Sequence, residues 1–202
     1  EQADNAIYRA TAYVEKLKNY HNKVSKIRSA LNAPPEGPYP KVHGRFTVTM
    51  IQSGEKENVI PAECEIRFDR RLIPEEDPKK AEADLREYME KLAKSQKIEI
   101  EGFKILNSIT GYHTDASNSF VQHFSAIARE VVGAPLPIVA DLGGNDGAHL
   151  AHAQIPVCCF GTIRHDTNYH APNEFVYLKD LKTVRDVLIA LGKSSASAFS
   201  SP

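Results

Sequence analysis

The sequence is short of several things that would assign it to a specialised class. It has three cysteines in 202 residues, Cys64 and the adjacent Cys158-Cys159, with no CxxC spacing. An odd count and a neighbouring pair that cannot bridge without strain speak against a disulfide framework, and the expectation is reduced thiols in a cytoplasmic protein. It also lacks an excess of charge of either sign. With Lys+Arg 25 against Asp+Glu 26 the net charge is -1, so nothing draws it to a polyanion or an acidic membrane, and nucleic acid is not an expected partner. No apolar run approaches the length that spans a bilayer, and the opening EQADNAIYRA has neither the basic start nor the apolar centre of a signal peptide. The first residue is not methionine, and helix-like sequence begins at once, as though something upstream had been removed.

What is present reads as alternating helices and strands. From Asp4 the apolar residues Ile7, Ala10, Tyr13, Val14 and Leu17 recur at helical spacing, which predicts a helix toward Leu31 with Asp4 or Asn5 as its cap. APPEGPYP, from Ala33 to Pro40, breaks it into a loop. RFTVTMIQSG alternates Phe46, Val48 and Met50 against Thr47 and Thr49, and AECEIRFDRR alternates Cys64, Ile66 and Phe68 against Glu63, Glu65 and Arg67. Two strands are expected there. After Pro74, PEEDPKKAEADLREYMEKLAKS sets Ala81, Leu85, Tyr88, Met89 and Leu92 on one helical face, and KIEIEGFKIL alternates again. Helix, strand, strand, helix, strand lacks only a leading strand to make the split unit of ferredoxin-like domains.

Near Asn107 the character changes. Beyond NSITGYHTDASN the pattern predicts helices over 119–132, 143–153 and 178–191, with short apolar strands over 137–140 and 155–160. Such alternation points to a parallel α/β layer, here too small to cover a sheet by itself. The tail KSSASAFSSP is low in complexity and expected to fray.

Several residue groups could carry chemistry. In ADLGGNDGAHLA a strand runs through glycines into a helix, where backbone N–H groups can meet an anion or a carbonyl oxygen. A tight turn that simply needs glycine accounts for the same residues. His170, in NYHAPNEFV, follows an apolar strand by a loop and is a candidate metal ligand. His149, His152, His165 and Asp166 lie in the same half, although the spacing of His149 and His152 suits two solvent-facing positions on one helix. His113 and Asp115 have H-x-D spacing in a polar connecting segment. Glu75-Glu76 precede a helix, where acids stabilise its start without any chemistry. Arg70 and Arg71 end a strand, where a guanidinium can fork onto a carboxylate. Asn58, ahead of Val59-Ile60-Pro61, could close a turn or donate to a substrate oxygen.

Taken in order, QADNAI, SGEKENVIPAECEIRFDRRLIPEE, DLGGNDGAHLAHAQIPV and YHAPNEFVYLKDL resemble one family. It is that of the co-catalytic zinc hydrolases, which include acetylornithine deacetylase, succinyl-diaminopimelate desuccinylase, aminoacylase and glutamate-releasing carboxypeptidase. The wording is nearest to the deacetylase and desuccinylase branch. The resemblance implies a ferredoxin-like lid that dimerises, residues 1–106, and the carboxyl-terminal portion of an α/β catalytic domain, residues 107–202. It implies two zinc ions, or cobalt in their place, in the parent active site, and an N-acyl amino acid or peptide as substrate. Within that likeness His170 matches a zinc ligand, Arg71 the arginine that grips the substrate carboxylate, Asn58 the asparagine that reaches substrate from the lid, and Gly144 and Asn145 the loop lining the pocket. The family's amino-terminal ligands and its general base have no counterpart here, since His113-Thr114-Asp115 falls after the lid and not before it. The chain alone is therefore expected to be inactive, and the alternative readings are a non-catalytic dimerisation module or a parent enzyme that is a zinc carboxypeptidase.

Overall fold

The computed structural model describes residues 4–35, 37–140 and 143–194. The tail beyond Ser194, Gln2 and Ala3 of the first motif, and Asp141 and Leu142 of the glycine motif lie outside the described residues. Helices and small antiparallel sheets make an α+β chain of two compact units. One is built from the chain up to Ala30 and from Lys41 to Thr110, the other from Leu31–Pro40 and the chain from Gly111 onward.

In the first unit, α1 (Ala6–Val24) starts where the Asn5 side chain accepts the Ile7 N–H at 2.9 Å. Its buried residues Ala6, Ala10, Tyr13, Leu17, Tyr20 and Val24 step by four and three, a single stripe that faces inward. The helix stops at Val24, short of the expected Leu31, and the chain turns instead into β1 (Arg28–Asn32), which pairs with β2 (Lys41–His43). Gly44 explains the close approach at this point. A Cβ there would stand 2.8 Å from the Val24 carbonyl and 3.2 Å from an Arg70 nitrogen.

β3 (Arg45–Gln52) and β4 (Glu65–Arg71) pair antiparallel, from Arg45 opposite Arg71 to Gln52 opposite Glu65. A bulge between Val48 and Met50 breaks the expected alternation. Phe46 stays 2% exposed, whereas Met50, now opposite Arg67, is 49% exposed. α2 (Pro78–Gln96) is capped by Asp77, which accepts the Lys80 N–H at 2.8 Å, and it buries Leu85, Met89 and Ala93. These join Tyr13, Leu17, Tyr20, Val24 and Phe46 in one core, with Ile98 and Phe103 packed against it. Tyr20 meets Phe46 edge to face at 5.1 Å, an arrangement worth about 1 kcal/mol beyond area burial. KIEIEGFKIL contributes those side chains but forms no ladder among the described residues. A strand exists only beside a neighbour, and among the described residues none pairs with this segment.

In the second unit, α3 (Ser119–Val132), α4 (Gly147–His152) and α5 (Leu178–Lys193) follow in order, and α3 packs on α5. Asn118 caps α3 through the Phe120 N–H, and Gly133 ends it in the left-handed region at φ 70°. α4 is shorter than the run expected from Gly143 to Ala153. The segments 137–140 and 155–160 carry no ladder among the described residues. Their amides go elsewhere: Ala140 N–H donates to the Asn32 carbonyl at 2.9 Å, and Val157 N–H to Thr114 Oγ1 at 3.0 Å. Ile138, Val139 and Ile155, in the segments expected as strands, are all more than a third exposed, as are Leu178 and Leu188 of α5, in keeping with a layer too small to cover a sheet.

Candidate substrate and metal site

The end of β4 sends its two arginines to opposite fates, because successive strand residues face opposite sides. Arg70 turns inward. It pairs with Glu76, with the two side chains 10% and 15% exposed, and also donates to the Arg71 carbonyl. Arg71 turns outward and holds Asp69 at 2.7 Å, a pair about half exposed on both sides. An exposed pair of that kind is worth about 0–1 kcal/mol, so an anionic ligand can displace Asp69 at little cost.

Glu75 and Glu76 do not serve as first-turn acids, as the sequence suggested. α2 begins beyond them, behind Asp77, with no acid in its first turn. Glu75 Oε1 accepts from Ser29 Oγ at 2.7 Å and from Ala30 N–H at 2.8 Å, and Glu76 Oε2 accepts from Ile73 N–H at 3.0 Å. Both fasten loops to strands. Asn58 is exposed in the connection between β3 and β4, where Val59 N–H closes a turn on the Lys56 carbonyl at 3.2 Å.

In the second unit His170 is exposed, with its ring against Tyr169 at 4.0 Å between centroids. Its φ of 60° is left-handed, as are those of Asn168 at 52° and Asn173 at 61°. Asparagine and histidine are both enriched among the non-glycine residues that adopt this region. Its own N–H meets Glu174 Oε2 at 3.4 Å, and contacts that no motif pointed to tie the flanking segments together. Arg164 forks onto Asp180, with Nη2 to Oδ1 at 2.6 Å, and holds the Asp180 carboxyl below its usual range. Thr167, only 3% exposed, hydrogen-bonds the Arg164 carbonyl through its hydroxyl at 2.8 Å. Tyr177 donates to Asp166 at 2.8 Å, and that bond pushes its phenol up. The sequence signal would have been an acid and an arginine flanking the histidine motif, which spacing alone does not connect.

His149 and His152 are solvent-exposed. Asp115 folds back on Ser117, taking its N–H at 2.7 Å and its hydroxyl at 2.6 Å, as a turn residue does. Gly144 is exposed and Asn145 half-buried at the start of α4. Asn145 Oδ1 accepts from Tyr112 Oη and from Gly147 N–H, both at 2.9 Å. Among the described residues no three His, Cys, Asp or Glu side chains gather where they could hold one metal ion. The described residues therefore do not make a metal centre, and His170 offers a single imidazole.

The candidate residues thus divide, Asn58 and Arg71 on the first unit and Gly144, Asn145 and His170 on the second. Residues 1–97 match the model of the peptidase dimerisation domain of the M20 family. The di-peptidase Dug1p of Saccharomyces cerevisiae superposes with a TM-score of 0.63 at 15% identity, over 75% of this chain and 34% of its own. The M20 family metallo-carboxypeptidase Sso-CP2 of Sulfolobus solfataricus superposes with a TM-score of 0.53 at 20% identity, over 95% of this chain and 45% of its own. No curated protein sequence matches. The chain is an α+β protein with the fold of M20 metallopeptidases. Its amino-terminal half belongs to the M20 peptidase dimerisation domain family, and the whole spans less than half the length of either solved relative. No helix among the described residues is long and apolar enough to cross a membrane.

Proposed function

We propose that this chain is part of a metal-dependent amidohydrolase that cleaves the amide bond of an N-acyl amino acid, of the acetylornithine deacetylase and succinyl-diaminopimelate desuccinylase type. The observation that carries the reading is His170, exposed on a loop in the left-handed region, on a chain whose other half matches a peptidase dimerisation domain. Loops are where folds commonly carry binding and catalytic side chains. His170 gives one zinc ligand to a centre whose other ligands the described residues do not supply. Arg71 takes the substrate carboxylate, Asn58 donates to a substrate oxygen, and Gly144 and Asn145 line the pocket. The first unit pairs with its copy in a homodimer. The 202-residue chain by itself is expected to be inactive.

A second reading, cleavage of a peptide bond, is favoured by the names of the two solved relatives, a di-peptidase and a carboxypeptidase. Both readings are tested by assaying the complete polypeptide that carries this chain, with zinc, on a panel of N-acyl amino acids and dipeptides. The first expects turnover of N-acetylornithine or N-succinyl-diaminopimelate and a KM raised about tenfold or more by Arg71→Met, the worth of a charge-assisted hydrogen bond. Preference for dipeptides would move the assignment to the second. Turnover by the 202-residue chain alone would overturn its expected inactivity.

A further inference from the structure

Asn145 does not stand alone at the start of α4. Its Oδ1 accepts the Tyr112 O–H at 2.9 Å, and its Nδ2 donates to Cys159 Sγ at 3.4 Å. Tyr112 Oη and Cys159 Sγ are 3.2 Å apart. The proton inventory fixes the direction around this triangle. With the single phenolic hydrogen given to Asn145, the contact between Tyr112 and Cys159 is made by the thiol, whose S–H donates to the tyrosine oxygen. The result is a closed ring: tyrosine to amide oxygen, amide nitrogen to sulfur, thiol to tyrosine. Bonds in such a ring polarise one another.

Two independent features show that the ring is built into the fold. Gly147 touches it so closely that a Cβ would lie 2.6 Å from Asn145 Oδ1, 2.7 Å from Tyr112 Oη and 2.8 Å from a Val157 methyl. Its backbone meanwhile donates to the same Oδ1 at 2.9 Å. Thr114, two residues from Tyr112, accepts the Val157 N–H at 3.0 Å, so the backbone bearing the tyrosine is tied to the backbone leading to Cys159.

We propose that Tyr112 is a positioning residue for the pocket-lining loop at Gly144-Asn145, acting through the hydrogen-bonded ring it closes with Asn145 and Cys159. The inference rests on the reading of that loop given under Proposed function, and it narrows the role of Asn145. Oδ1 accepts from both Tyr112 and Gly147, so the carboxamide oxygen is engaged within the fold. The Gly147 N–H fixes which way the amide faces, and Tyr112 with Cys159 holds the carboxamide in that place.

The test compares Tyr112→Phe, Cys159→Ala and Cys159→Ser in the 202-residue chain, with Cys64 and Cys158 replaced by serine so that Cys159 is the sole thiol. Exchange of the Gly147 amide reads the ring, and the infrared S–H stretching band reads the thiol bond. Tyr112→Phe and Cys159→Ala are expected to speed Gly147 exchange about fivefold or more, the effect of one lost hydrogen bond. Cys159→Ser, whose hydroxyl can take both roles of the thiol, restores slow exchange, and Tyr112→Phe shifts the S–H band toward that of an unbonded thiol. Unchanged exchange and an unchanged band in Tyr112→Phe would overturn the proposal. So would equal effects of serine and alanine at 159, which Cys159→Ala and Cys159→Ser decide even if Tyr112→Phe fails to fold. In the complete polypeptide, Tyr112→Phe is expected to raise KM about fivefold and leave kcat within about twofold. An unmoved KM would refute the positioning role. Absence of any hydrolysis by the parent would instead count against the reading of the loop, while exchange still decides the ring.

Discussion

Replacing Glu76 by glutamine should destabilise the first unit by about 3 kcal/mol, far more than the loss of any surface ion pair. Glu76 uses both carboxylate oxygens, one on Arg70 and the other on the Ile73 N–H at 3.0 Å. Glutamine keeps the size but has only one acceptor, so its NH2 must face a donor at one of the two positions. It also removes the countercharge of a guanidinium that is 10% exposed. Breaking a buried pair on one side costs about 3–5 kcal/mol, and the Arg71 carbonyl, which also takes an Arg70 N–H, sets the low end of that range. Urea unfolding followed by exchange of the β3–β4 amides is the assay. With a slope near 2 kcal/mol/M, the midpoint should fall by about 1.5 M. Glu65→Gln is the control. Its pair with Arg67 is 43% and 55% exposed, and its loss should leave the urea midpoint nearly unchanged. The double variant Arg70→Met/Glu76→Leu should be more stable than Glu76→Gln, since it leaves no charge buried without a partner. A cost for Glu76→Gln within about 0.5 kcal/mol of zero, or a double variant as costly as the sum of its single changes, would refute the reasoning.

Two other outcomes follow from the same unit. Gly44→Ala should cost about 1–3 kcal/mol, because the added carbon meets the Val24 carbonyl at 2.8 Å, while Gly102→Ala, with nothing within 4 Å, should be near neutral; thermal melts of the pair check this. Tyr13, whose hydroxyl donates to the Met89 carbonyl at 2.9 Å, is pushed by burial up to about 12 from 10.0. Because the folded value lies above the unfolded one, its stabilisation is complete below pH 10.0 and is lost as pH rises through about 12. Tyr13→Phe should lose about 1 kcal/mol at neutral pH and flatten stability across that alkaline window, as measured by urea midpoints against pH.

The chemical sequence by itself determined the local elements. The four-and-three spacing of Ala10, Tyr13 and Leu17, the alternation through Phe46 and Phe68, and the stripe through Leu85 and Met89 each allow one periodicity, and those helices and strands are found. The candidate residues were legible as types in motifs, since Arg71, Asn58, Asn145 and His170 stand in quotable stretches. Which way each one faces was not. Whether Arg70 or Arg71 points inward depends on the register of β4 against β3, and the bulge at Thr49 that exposes Met50 belongs to the pairing and not to either strand. Arg164 and Asp180, or Tyr112, Asn145 and Cys159, meet only because separate segments are brought together. Alternation predicts a strand over 97–106 and apolar content predicts strands over 137–140 and 155–160, but a ladder is a property of two segments, and among the described residues none offers them an edge. Periodicity is set by neighbours along the chain, whereas register, ion pairing and hydrogen-bonded rings are set by neighbours across space, and these the tertiary structure alone decided.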